Sequence, residues 1–112
     1  MLDYKVKIGL VPMRRNTTNR PAKTFLTWVS AEERGHRVVD YIEENFSNEN
    51  VSFADSKGLG CADLIFDGKS ADDIIERFKN EDVDAVMIIN CNFGNEEAAA
   101  DIAKALGKPV LL

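Results

Sequence analysis

Two polar segments carry the residues best suited to holding a small polar ligand. Pro12-Met-Arg-Arg-Asn-Thr-Thr18 contributes Arg14 and Arg15, and Asn90-Cys-Asn-Phe-Gly-Asn-Glu96 contributes Asn92 and Phe93. Arginine stays charged and offers a planar fork of donors. Asparagine both donates and accepts, and phenylalanine presents one flat apolar face. Together these groups suit a polyol; the plainer alternative is a pair of solvated loops with two surface arginines.

Other chemistry-bearing residues point less clearly to a ligand. Gly58-Leu-Gly60 matches neither the P-loop nor the dinucleotide fingerprint and reads as a turn. Glu32-Glu33 and Glu43-Glu44 are sequence neighbours on a helix, so their side chains diverge and read as a solvated face rather than an acid–base pair. His36 is the single histidine, which excludes a multi-histidine metal site within one chain, and it reads as structural or surface. Cys91 lies beside the proposed site and reads as a packing residue unless its thiolate is stabilised. Trp28 reads as core or interface.

The elements that must position these residues alternate strand and helix. Lys5 to Val11 is an apolar, partly β-branched strand that ends at Pro12. A helix follows from Ser30 to Phe46, opened by the capping box Ser30-Ala-Glu-Glu33, with Val38, Val39, Ile42 and Phe46 as its apolar stripe. Gly35 in that helix suggests close backbone packing. Val51 to Asp55 is a short strand. Ser70 caps a second helix, whose core face is Ile74, Ile75 and Phe78. Asp84 to Asn90 is apolar on both faces, as a central parallel strand must be, and Cys91 to Gly94 is a loop. Asn95 caps a third helix that turns Ile102, Ala103 and Leu106 inward. Gly107 and Pro109 end it before a last strand, Val110 to Leu112.

The order βαβαβαβ predicts an α/β fold: a three-layer αβα domain with a parallel sheet in the flavodoxin-like order 2-1-3-4. In such sheets ligands bind outside the carboxyl ends of the strands, where the strand order reverses. Here that point lies between strands 1 and 3, which brings the two polar segments together. In this order the face over strands 3 and 4 lacks a helix. The expectation is a single domain, residues 1–112, incomplete and cut from a longer chain.

Composition narrows the partners. The chain has 112 residues, 45% hydrophobic and 29% charged, as expected of a globular domain rather than a disordered one. Its net charge of −5 disfavours nucleic acid and anionic membrane surfaces, which need a positive field. No apolar run approaches the ~20 residues that span a bilayer. Two cysteines and no export signal point to free thiols in the cytoplasm.

Three stretches carry a resemblance. Ile8-Gly-Leu-Val-Pro-Met-Arg-Arg15, Asp84-Ala-Val-Met-Ile-Ile-Asn-Cys-Asn-Phe-Gly-Asn-Glu96 and Ala105-Leu-Gly-Lys-Pro-Val-Leu-Leu112 look like successive strands and loops of one domain type. The chain resembles the N-terminal domain of the L-fucose and L-arabinose isomerase family. That resemblance implies a metal-dependent aldose–ketose isomerase, usually using manganese, whose metal ligands lie in downstream domains. It implies a homo-oligomer in which this domain lends substrate contacts to a neighbouring subunit's active site. By position Arg14 matches the polar substrate-contacting residue after strand 1, and Phe93 matches the aromatic one after strand 3. Arg15 and Asn92 complete the candidate substrate-binding set. The chain is expected to hold no metal and no catalytic residue of its own. Arg14-Arg15 and the Asn-rich stretch to Asn19 depart from the best-known members, which leaves the sugar open. Two rival readings remain: a stand-alone module binding a phosphate or nucleotide at the same loops, and a structural domain with no ligand.

Overall fold

The computed structural model describes residues 5–14, 28–60, 63–92 and 96–111. The elements are β1 (Val6–Arg14), α1 (Trp28–Phe46), β2 (Val51–Ala54), α2 (Gly68–Glu81), β3 (Ala85–Asn92), α3 (Glu96–Leu106) and β4 (Val110–Leu111). The four strands form one parallel sheet in the order β2-β1-β3-β4. This is the expected α/β architecture and strand order.

Side-chain alternation along β1 sorts the core into two faces. Val11 and Met13 join Ile74 and Phe78 of α2, Val86 and Ile88 of β3 and Ile102 of α3 in one buried cluster. Gly9 lies on that same face, because a Cβ built there would fall 2.7 Å from Cδ2 and Cζ of Phe78. A side chain at this position would occupy the space of the ring, so glycine lets α2 close onto the central strand. Leu10 is fully buried and alternates to the opposite face, where α1 packs over β1 and β3.

On that opposite face β3 presents Ala85, Met87 and Ile89, all half-buried. Leu111, the register partner of Met87, is 61% exposed. On this side α1 packs over β3, which the sequence reading left without a helix, while Leu111 of β4 stays exposed among the described residues.

Several boundaries differ from the sequence reading. β1 does not stop at Pro12; it runs on to Arg14. In a parallel strand the N–H and C=O of one residue point to the same side. The Pro12 carbonyl accepts from the Ile65 N–H (2.9 Å), so the missing Pro12 donor faces that side and costs β3 no ladder bond. β3 likewise continues through Cys91 and Asn92, which were expected in a loop. α1 begins at Trp28, so Ser30 lies inside the first turn rather than capping it; no Pro or Gly between Trp28 and Ser30 stops the helix. Its stripe is also narrower than expected. Gly35 and Val39 are buried, Ile42 is half-buried, and Val38 and Phe46 are 37% and 56% exposed. Phe46 closes the helix and meets Tyr41 edge-on.

The cap of α2 is Asp67, not Ser70. The Asp67 carboxylate accepts from the Ser70 N–H (2.8 Å), and the Ser70 hydroxyl oxygen accepts from the Asp67 N–H (3.1 Å). Ser70 is the reciprocal partner of a capping box, three residues inside. Asn95, Phe93, Arg15 and residues 24–27 fall outside the described residues.

Candidate functional site

β1 and β3 reach the carboxyl edge of the sheet as direct neighbours. Their register runs Ile8 opposite Ala85 to Met13 opposite Asn90, then shifts so that Arg14 stands opposite Asn92. Cys91 is the extra residue on β3 that absorbs the shift. Such a bulge increases the local twist of the strand. Two of the four candidate substrate residues, Arg14 and Asn92, are thus paired across the switch point. Arg15 and Phe93, which follow in sequence, lie outside the described residues.

A third segment reaches the same edge, and sequence reasoning missed it. Residues 63–66 run beside β1 past the end of β2, and Ile65 makes a parallel bridge to Met13. Leu64-Ile-Phe66 is apolar and β-prone, a short-strand signal that could have been read from the sequence. Gly58-Leu-Gly60 belongs to the tight turn leading into this segment, as expected. The loop is tied together at Asp63, a non-glycine residue at φ 69°. The Ser56 hydroxyl donates to the Asp63 carbonyl, and the Gly58 N–H donates to Asp63 Oδ1 (2.7 Å). Asp63 Oδ2 lies 3.2 Å from Nε2 of His36 on α1. His36 therefore joins the first helix to this loop from a half-exposed position, in keeping with the structural reading.

One expectation about the carboxylates fails. Glu43 is not on a fully solvated face: its side chain is half-buried, with Oε1 shielded from solvent. Burial raises its carboxyl above the usual glutamate range, and the neighbouring Asp55 carboxylate raises it further, against an opposing pull from Lys57. Adjacent glutamates do diverge on a helix, but here the divergence turns one of them onto the end of β2.

No three His, Cys, Asp or Glu side chains come together to hold a metal ion among the described residues. A divalent metal does not fit the side chains described here. A groove of about 450 Å³ lies on the outer side of α2, lined by Leu59, Asp73, Glu76, Arg77 and neighbours. It is not at the strand ends. Its arginine is already committed, since Arg77 donates to the backbone carbonyls of Lys57 (2.7 Å) and Asp55 (3.2 Å). No helix among the described residues is long and apolar enough to cross a membrane.

A four-stranded parallel sheet in the order β2-β1-β3-β4, with helices on both faces, defines a doubly wound α/β domain. Residues 17–112 match the family described as fucose/sulfoquinovose isomerase, N-terminal domain, and the chain belongs to that family. The matched span begins after Arg14 and Arg15 and includes β3, Asn92 and Phe93. No curated protein and no solved structure matches the chain significantly.

Proposed function

We propose that this chain is the substrate-binding and oligomerisation domain of a metal-dependent aldose–ketose isomerase, acting on a sugar of the fucose or sulfoquinovose kind. Its part is to bind and orient. The arginines at 14 and 15 hold a sugar hydroxyl or the oxygen of an enediolate, Asn92 offers a donor and an acceptor, and Phe93 faces the carbon chain. The metal, manganese by the resemblance, and the groups that move protons belong to downstream domains. The assembly is a cytoplasmic homo-oligomer in which this edge completes a neighbouring subunit's site.

The observation that carries this reading is the pairing of Arg14 with Asn92 at the sheet's switch point, in a chain of an isomerase family. One charged hydrogen bond to a substrate oxygen contributes about 1.5–3 kcal/mol. A pair of such contacts fixes orientation, which lowers a barrier by placing the reacting carbons.

The phosphate reading finds less support. Helix N-termini bind anions through free amides and a positive dipole end. At α2 the Asp67 carboxylate already occupies that position, and α3 opens with Glu96 and Glu97. Calorimetric titration of the chain with L-fucose, sulfoquinovose, inorganic phosphate and ATP tests the assignment. Saturable heat with a sugar and none with phosphate or ATP is expected. Binding of phosphate or ATP without any sugar response would overturn it.

A further inference from the structure

The β2–α2 loop ends against the carboxyl edge of β1. Ile65 bridges Met13 in parallel, and its N–H donates to the Pro12 carbonyl (2.9 Å). One residue further along each segment stand Phe66 and Arg14. We infer that Phe66 is a third wall of the sugar site: the β2–α2 loop sets it at the carboxyl edge beside Arg14, on the flank opposite Asn92. This inference rests on the sugar-binding reading above.

Burial along the segment separates Phe66 from its neighbours. Leu64 and Ile65 are fully buried, whereas Phe66 is half-buried. A single half-exposed aromatic is ordinary on a protein surface; its setting here is not. The described residues on either side of it are tied down. Asp63 takes the left-handed region and gathers Ser56, Gly58 and His36. Gly60, at φ 60°, has no room for a side chain, because a Cβ would strike the Leu64 carbonyl oxygen. On the far side the Phe66 N–H donates to Ser70 Oγ (3.0 Å), which ties the aromatic directly to the α2 cap. Strained residues persist only where the surroundings over-determine them, and they gather at ligand clamps.

The ligand chemistry follows from what surrounds the position. Sugar pockets need a few placed polar groups and an apolar wall for the carbon face. Arg14 and Asn92 are polar, and Phe66 adds an aromatic surface on the remaining flank. Its partner is the C–H face or terminal methyl of a 6-deoxy sugar, so Phe66 sets preference among sugars rather than moving protons.

The test is a residue-resolved NMR titration of the full chain with L-fucose, repeated on Phe66→Ala and Phe66→Leu. In the unsubstituted chain L-fucose should shift the amides of Arg14, Asn92 and Phe66, and irradiation of the Phe66 ring should transfer saturation to the sugar. Phe66→Ala should weaken L-fucose binding at least fivefold, with Phe66→Leu intermediate and the amide spectrum otherwise preserved. If Phe66→Ala alone loses the folded spectrum, Phe66→Leu and the ring saturation decide. Shifts at Arg14 and Asn92 with no response at Phe66, and unchanged affinity in the folded variants, would overturn this inference and leave the site reading intact. No response at any of the three segments would overturn both.

Discussion

Replacing Gly9 with alanine should destabilise the domain, although alanine is normally the better residue inside a strand. Two effects oppose one another. Removing glycine's extra freedom in the unfolded chain stabilises by about 0.4–1 kcal/mol. Against this, the new Cβ would lie 2.7 Å from two ring carbons of Phe78 and closer still to Cε2. Phe78 is fully buried in the cluster shared by α2, α3 and the sheet, so the ring cannot swing into solvent. Overpacking of this kind costs typically about 1–3 kcal/mol. The net loss is therefore about 1–2 kcal/mol, a sizeable share of the roughly 5–15 kcal/mol that holds a domain together. With an m-value of about 1.5 kcal/mol/M, the urea midpoint should fall by roughly 1 M. Equilibrium urea denaturation followed by circular dichroism measures this directly. Phe78→Leu should cost stability alone but relieve the clash, so the double variant should lose less than the sum of the single changes. A neutral or stabilising Gly9→Ala, with additive behaviour in the double variant, would refute the claim that α2 closes on the bare backbone of β1.

Three further outcomes are expected. Glu43 has a raised carboxyl in the folded state, so its favourable contribution is complete below the unfolded value near 4.5 and is lost as pH rises through the folded value. Glu43→Gln should therefore unfold at higher urea than the unsubstituted chain near neutral pH, and the difference should shrink toward about pH 4. Asp67→Ala removes the acceptor of the α2 capping box and should lower stability by about 1 kcal/mol, read as a drop in melting temperature. Arg14→Ala should weaken sugar binding roughly tenfold to a hundredfold, the value of a charged hydrogen bond, while leaving the urea midpoint nearly unchanged; calorimetry and denaturation read the two effects separately.

Much of the architecture was legible because strong local signals agreed with one another. Ala85 to Ile89 is apolar at every position, and only a strand covered on both faces needs that. Ile74 and Phe78 recur at helical spacing, and both are fully buried. Strand order followed from the alternation of element types. The errors lie where tertiary partners override a local rule. Pro12 reads as a strand end, but its missing donor faces the 63–66 segment instead of β3, so β1 continues to Arg14. Ser70 has the right chemistry for a cap, yet Asp67, three residues earlier, performs it with Ser70 in support. Glu43 reads as solvent-facing because neither its charge nor its sequence neighbours reveal that α1 lays it against the end of β2. Of the candidate site, topology alone placed Arg14 and Asn92 at the ends of neighbouring strands. It could not predict the bulge at Cys91 that sets them in register, nor the bridge from Ile65 that brings Phe66 alongside, because both depend on pairing between segments distant in the chain.

The central claim is that the carboxyl edge of β1 and β3 is where this domain takes its sugar, and a crystal structure of the chain with L-fucose or sulfoquinovose bound tests it most directly. The account predicts the sugar against the ends of β1 and β3, with an oxygen within hydrogen-bonding distance of Arg14 or Asn92. A sugar seated instead in the groove along α2 beside Glu76 and Arg77, or at the opposite edge of the sheet near Asp84, would contradict it.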